Sequence, residues 1–229
     1  MRIAVIPARG GSKRIPRKNI RRFADKPMIA HAIQAAQASA LFDHVIVSTD
    51  DEEIAQIASE WGAECPFMRP AELSDDHTPT VPVVAHAIQT CEKLGWKIEL
   101  VCCIYPGVPF IEIGDLKETL ALLSDSDADY CFPVAEFPAA IQRAMKRNEQ
   151  GRMTPFYPEY ELTRTQDLER AYHDAGQFYW GSARAWLTNP RVHSSAIGYP
   201  IPNWRVVDID TEDDWDRAER MHRAFSGKP

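Results

Sequence analysis

The chain has no run of eighteen apolar residues, so no membrane-spanning helix is expected. Its cysteines are Cys65, Cys91, Cys102, Cys103 and Cys131; they form no C-x-x-C pair and their number is odd. Neither a zinc site nor a disulfide framework is therefore indicated. The N-terminus shows no secretory h-region and enters a strand-like stretch at once. These shortages point to a cytoplasmic, reduced protein. An excess of positive charge is also missing: 26 basic residues face 33 acidic ones, for a net charge of −7. Nucleic-acid binders are normally basic, so this balance argues against such a partner. Internal repeats and low-complexity tracts are absent as well.

What is present is an alternation of short apolar runs with amphipathic stripes. Residues 2–6, 44–49, 100–105 and 130–134 read as strands, and 28–38, 52–61, 81–94 and 113–124 as helices. Thr49 and Glu52 have the S/T-x-x-E capping spacing that opens the second helix. This β-α-β-α order predicts an α/β protein with a mostly parallel sheet covered on both faces. From 135 to 174 the pattern breaks into a polar, Pro-containing and aromatic stretch that reads as an insertion with short strands. It resumes with a strand at 177–180, a helix near 182–187, a strand at 206–208 and a final helix at 212–225. A single domain over 1–229 is expected, with that insertion at about 135–174.

Against the acidic background, the stretch 6–20, IPARGGSKRIPRKNI, stands out. It follows the first predicted strand, and ligands in such sheets bind at the carboxyl ends of the strands. Gly10 and Gly11 let backbone N–H groups approach a ligand closely. Arg9, Lys13 and Lys18 bring positive charge to the same place, and Arg14 and Arg17 add to it. Backbone donors with side-chain cations suit a triphosphate; the competing reading is a solvated basic turn. The loop is neither G-x-x-x-x-G-K-[ST] nor G-x-G-x-x-G. Near the other end lies Val207-Asp208-Ile209-Asp210. In an extended segment Asp208 and Asp210 share one face, and two carboxylates completed by water and substrate oxygens suit Mg²⁺. The alternative is that Asp210 or Thr211 caps the last helix.

The motif IPARGGSKRIPRKN resembles the signature of the CMP-N-acylneuraminate synthetase family, cytidylyltransferases that activate sialic-acid-like nine-carbon sugars. The resemblance extends over most of the chain and is strongest to the pseudaminic acid branch, through the R-x-Q-D-L element at 164–168 and Y-H-D-A-G-Q-F-Y-W at 172–180. It implies a Rossmann-like three-layer nucleotidyltransferase fold. It implies that Arg9, Lys13 and Lys18 meet the phosphates or the leaving pyrophosphate. Ala8, Gly10, Gly11 and Ser12 would supply loop backbone, and Asn19, Arg69 and Thr80 would contact the nucleotide, CTP. Tyr105, Arg164, Gln166, His173, Asp174 and Gln177 would meet the sugar, and Asp208 and Asp210 would hold Mg²⁺. Gly107 departs from the family's usual Thr, which removes a side-chain hydroxyl there. No general base is marked. The same reaction on N-acetylneuraminic or legionaminic acid is the alternative, and a non-catalytic nucleotide-binding regulatory protein the distant one. The relatives are dimers whose insertion reaches toward the partner's site, so a homodimer with small-molecule substrates is expected.

Overall fold

A computed structural model describes residues 1–225. Its first strand, β1 (Arg2–Pro7), buries four successive apolar residues, Ile3 to Ile6. Such a run, covered on both faces, belongs at the centre of a sheet. The chain continues through the hairpin β2 (Arg22–Phe23) and β3 (Lys26–Pro27), α1 (Met28–Ser39), β4 (His44–Ser48), α2 (Glu52–Glu60) and α3 (Thr80–Lys93). Then come β5 (Leu100–Ile104), α4 (Ile113–Ser124) and β6 (Tyr130–Glu136). The stretch that follows carries β7 (Met145–Arg147), β8 (Met153–Pro155) and β9 (Tyr172–Asp174). Last are β10 (Phe178–Ser182), α5 (Ala183–Thr188), β11 (Ala196–Pro200) and α6 (Glu212–Phe225).

The sheet order is β11-β6-β10-β5-β1-β4, with β9 added on β6. β1 pairs parallel with β4 and β5, and β11 parallel with β6. β10 runs antiparallel between β5 and β6, and β9 antiparallel to β6. Period-two alternation divides the strands between two cores. Ala4 and Ile6 pack with Ile29, Ile33 and Leu116 of α1 and α4, while Ile3 and Val5 pack with Val84, Ile88 and Trp186 of α3 and α5. The result is the three-layer α/β arrangement expected from the sequence. A third cluster joins Ile15, Phe23, Met28, Phe110, Ile209, Trp215 and Ala218. It fastens the basic loop, the acidic segment and α6 to one another. Among the described residues no helix is long and apolar enough to cross a membrane.

Two local expectations are corrected. Residues 206–208 form no strand; β11, which lacks a strong apolar pattern, takes the edge of the sheet instead. Helix α2 is capped by Asp51, whose carboxylate accepts from the N–H of Ile54 at 3.0 Å, and not by Thr49. Thr49 is fully buried, and its hydroxyl accepts from the N–H of Asp51 at 3.2 Å.

Candidate active site

A cleft of about 920 Å³ opens at the carboxyl ends of β1 and β5. Its walls are the loop after β1, the segment before α3, the turn at 105–107, residues 173–176 and the acidic segment 206–210.

The loop after β1 is built by a few local bonds. The N–H of Ala8 donates to Ser48 O at 3.0 Å, prolonging the β1–β4 pairing, and the N–H of Ser12 turns back onto Gly10 O at 3.0 Å. Arg17 sits at φ 56°, in the left-handed region, and its carbonyl accepts from Ile20 and Arg21 at 3.0 and 2.9 Å. Asn19, itself buried, donates its side-chain amide to Arg9 O at 3.0 Å and closes the loop. Gly10 is required by a close approach. Its N–H donates to Asp50 Oδ1 at 3.0 Å, and a Cβ there would lie 2.5 Å from Asp51 Oδ2.

Each cation of the loop faces a carboxylate. Arg9 meets Asp76 at 2.6 Å, and Lys13 also binds Asp76. The bond from Lys13, then that from Arg9, holds the Asp76 carboxyl below its ordinary range. Arg14 and Lys18 converge on the two oxygens of Asp210, at 2.8 and 3.5 Å. Arg17 spans Asp51 and Glu53 outside the cleft, and this pairing lowers the pKa of Asp51. Arg69 is buried in the opposite wall, its side chain 3% exposed and 3.7 Å from Asp50. Burial lowers its pKa more than Asp50 raises it. A buried guanidinium with a distant counter-ion is poised to accept an anion or carbonyl oxygen.

In the acidic segment the geometry identifies the cap of the last helix. Thr211 caps α6: its hydroxyl accepts from the N–H of Asp214 at 3.2 Å. Asp214 reciprocates, accepting from the N–H of Thr211 at 3.0 Å and from its hydroxyl at 2.7 Å. This is a capping box with Asp at the fourth position, so Asp208 and Asp210 are released from capping. Ile209 between them is buried, so the two acids face the cleft together. Asp208 makes no ion pair or hydrogen bond among the described residues. Two carboxylates beside the cationic loop, Asp208 unpaired and Asp210 shared by Arg14 and Lys18, fit Mg²⁺, which takes few protein carboxylates and completes its shell with phosphate and water. Among the described residues no group of three or more acids, histidines or cysteines could enclose a metal unaided.

On the remaining wall Tyr105, His173 and Asp174 line the cleft, held in part by residues outside it. Thr80 Oγ1 and Tyr105 OH lie 2.9 Å apart, and burial raises the Tyr105 pKa. Tyr179 OH donates to Asp174 Oδ2 at 2.9 Å, and His193 Nε2 meets the same oxygen at 2.7 Å. His173 stands edge-on to Phe137, with its Nδ1 3.0 Å from Asp174 O.

The cleft thus gathers Arg9, Ser12, Lys13, Lys18, Asn19, Arg69, Thr80, Tyr105, His173, Asp174, Asp208 and Asp210. Ala8 is buried beneath the loop, and Gly10 and Gly11 form its backbone. Three residues expected at the sugar lie elsewhere within this chain. Arg164 and Gln166 are exposed on the stretch between β8 and β9, where Arg164 pairs with Asp167 at 2.7 Å. Gln177 is buried behind the cleft and donates to Arg205 O at 2.8 Å. Sequence reading missed Asp50 and Arg217, and left Asp76 open between a nucleotide-side residue and a plain capped loop. Asp50 had a signal, since it directly follows a strand at the end where ligands bind; Arg217 had none.

The family profile described as "Cytidylyltransferase" matches residues 3–185. The chain is 40% identical over 224 residues to the pseudaminic acid cytidylyltransferase of Campylobacter jejuni, covering 96% of each. It is 30% identical to the CMP-N,N'-diacetyllegionaminic acid synthase of Legionella pneumophila, covering 96% of this chain and 95% of that one. In fold it is similar to a CMP:2-keto-3-deoxy-manno-octonic acid synthetase solved with CTP. That likeness has a TM-score of 0.71 at 17% identity, over 98% of this chain and 99% of the other.

Proposed function

The chain belongs to the cytidylyltransferase family, and on that premise we propose that it converts CTP and pseudaminic acid to CMP-pseudaminic acid and pyrophosphate. The observation that carries the reading is the gathering, in one cleft, of the Arg9–Lys13–Lys18 cations and the Asp208–Asp210 carboxylates. Nucleotidyl transfer is mostly positioning and charge stabilisation, and this arrangement supplies both.

In the proposed reaction the anomeric hydroxyl oxygen of the sugar attacks the α-phosphorus. The new P–O bond forms as the bond to the β-phosphate bridge breaks; pyrophosphate leaves and the hydroxyl proton passes to solvent. Arg9, Lys13 and Lys18 exchange their carboxylate partners for the β- and γ-phosphates and hold the charge that grows on the leaving group. Asn19, Arg69 and Thr80 orient the nucleoside. Tyr105, His173 and Asp174 meet the sugar from the aromatic wall. Asp208 and Asp210 would hold Mg²⁺, which neutralises phosphate charge when bound.

The unit of function is a homodimer of single-domain subunits. Support comes from the stretch between β6 and β10, where Met145, Met153, Phe156, Tyr157 and Leu162 are exposed, Leu162 to 97%. Arg164 and Gln166 share that surface, so they reach a sugar in the partner's cleft and not in their own. A cytoplasmic setting agrees with five free cysteines, four of them buried.

The test is pyrophosphate release from CTP and Mg²⁺ with pseudaminic, legionaminic and N-acetylneuraminic acid in turn. A buried polar group left unpaired by the wrong stereoisomer costs about 1–3 kcal/mol. Pseudaminic acid is therefore expected to be favoured at least about tenfold in kcat/KM. Equal or better use of either other sugar would reassign the substrate and leave the cytidylyltransferase chemistry standing.

A further inference from the structure

Asp208 and Asp210 sit on a segment without strand partners, since residues 206–210 lie in no sheet. Two carboxylates that share a cation must nevertheless be held to within a fraction of an ångström. At its C-terminal end the segment is fixed by Ile209 in the cluster with Ile15, Phe23 and Trp215, and by the bond from the N–H of Asp210 to Asp214 Oδ2 at 3.3 Å. Its N-terminal end hangs from Arg205. This arginine is buried and pairs with the buried Asp115 in the first turn of α4; its Nη1 also lies 3.2 Å from Glu112. From the other side Gln177, 3% exposed, donates Nε2 to Arg205 O at 2.8 Å. The backbone carbonyl of Gln177 in turn accepts from Tyr105 N–H at 2.9 Å.

Core packing does not account for Gln177. Its Oε1 is buried with no hydrogen-bond partner, so the amide costs stability where an apolar side chain of the same volume would not. The feature that an apolar residue could not reproduce is the Nε2 bond to Arg205. We propose that Gln177, Arg205 and Asp115 are positioning residues, a strut that sets the register of the Asp208–Asp210 carboxylates for the metal and ties them to the Tyr105 wall of the cleft. The proposal rests on the cytidylyltransferase reading, and it replaces direct sugar contact as the role of Gln177.

The experiment is a Mn²⁺ titration of the protein–CTP mixture by electron paramagnetic resonance, on wild type and on Gln177→Met. Loss of an outer-shell partner typically weakens a metal site about 10–100-fold. The Mn²⁺ Kd is expected to rise about tenfold and kcat to fall with it. CTP affinity in the presence of a chelator should stay within about twofold, and the melting temperature should hold or rise. Asp115→Asn should move Mn²⁺ affinity in the same direction. Gln177→Asn, which keeps the amide but shortens its reach, serves if the Met variant does not fold. Unchanged Mn²⁺ affinity in a folded Gln177 variant, with wild type binding through Asp208 and Asp210, overturns the strut alone. Wild-type Mn²⁺ binding that survives Asp208→Asn with Asp210→Asn overturns the metal assignment and the strut together.

Discussion

Among the loop's paired cations Lys18 has the most enclosed side chain, at 23% exposure against 79% for Lys13 and 68% for Arg14. A charge acts more strongly where less water screens it, so Lys18 should count most in the transition state. Lys18→Ala is expected to lower kcat about a hundredfold, equivalent to roughly 3 kcal/mol, while the circular dichroism spectrum and melting temperature stay near wild type. Near-normal turnover in the folded variant would remove Lys18 from the machinery. A second residue-scale effect concerns stability. His31 lies between Phe23 and His222, with Nε2 3.4 Å from Phe23 O, and burial lowers its pKa from 6.5 to about 4. Lys26 and then His222 push the same way, while the bond to Phe23 O and, after it, Asp25 oppose them. The unfolded chain takes up the proton first, so the contribution is complete above about pH 6.5 and is lost as pH falls toward 4. It amounts to about 3 kcal/mol at most. His31→Leu should flatten the melting temperature between pH 6.5 and 4 relative to wild type; parallel curves would show that His31 does not carry this dependence.

At the scale of elements, the start of α6 keeps two duties apart. Thr211 and Asp214 cap the helix, and Asp208 and Asp210 face the cleft. Thr211→Ala should therefore cost about 1 kcal/mol of stability and leave the metal requirement intact. Replacing Asp208 and Asp210 together by Asn should do the reverse, abolishing metal-dependent turnover with α6 still folded by circular dichroism. Metal-dependent activity in the double variant would place the metal elsewhere. The sequence made this segment ambiguous because D-I-D-T-E-D-D offers acids for both duties, and only the burial of Ile209 and the Asp214 bonds separate them. Elements with strong periodicity were legible to within a residue or two: β1, β4 and β5, α1 to α4, and α6. Val206 and Val207 misled because β-branched residues look like strand, yet they have no strand partner, and Val207 packs instead against the cluster around Ile209 and Trp215. β11 escaped notice because its pairing with β6, not its own pattern, defines it. Of the site, the residues of the basic loop were readable from chemistry and likeness. Asp50 was not, and the pairing of Asp76 with Arg9 and Lys13 was not either, since both come from loops meeting in the fold.

At the scale of the whole molecule, the apolar surface between β6 and β10 is the main unsatisfied feature. Leu162, Met145, Met153 and Phe156 together would be a solubility liability on a monomer. Sedimentation should give a dimer for wild type, and Leu162→Asp should shift it toward monomer with a loss of activity that rising protein concentration restores. A wild-type monomer at assay concentrations would end the dimer reading. The charge pairs around the cleft have a further consequence. Since Arg9, Lys13, Arg14 and Lys18 each already face an acid, an incoming triphosphate trades one set of ionic partners for another and does not meet bare charge. Added salt screens the approach of the anion, yet it also loosens the internal pairs that compete with it. The logarithm of kcat/KM for CTP should therefore fall only gently with ionic strength. Replacing Asp76 by Asn should steepen that fall, converting a buffered electrostatic trap into an ordinary one.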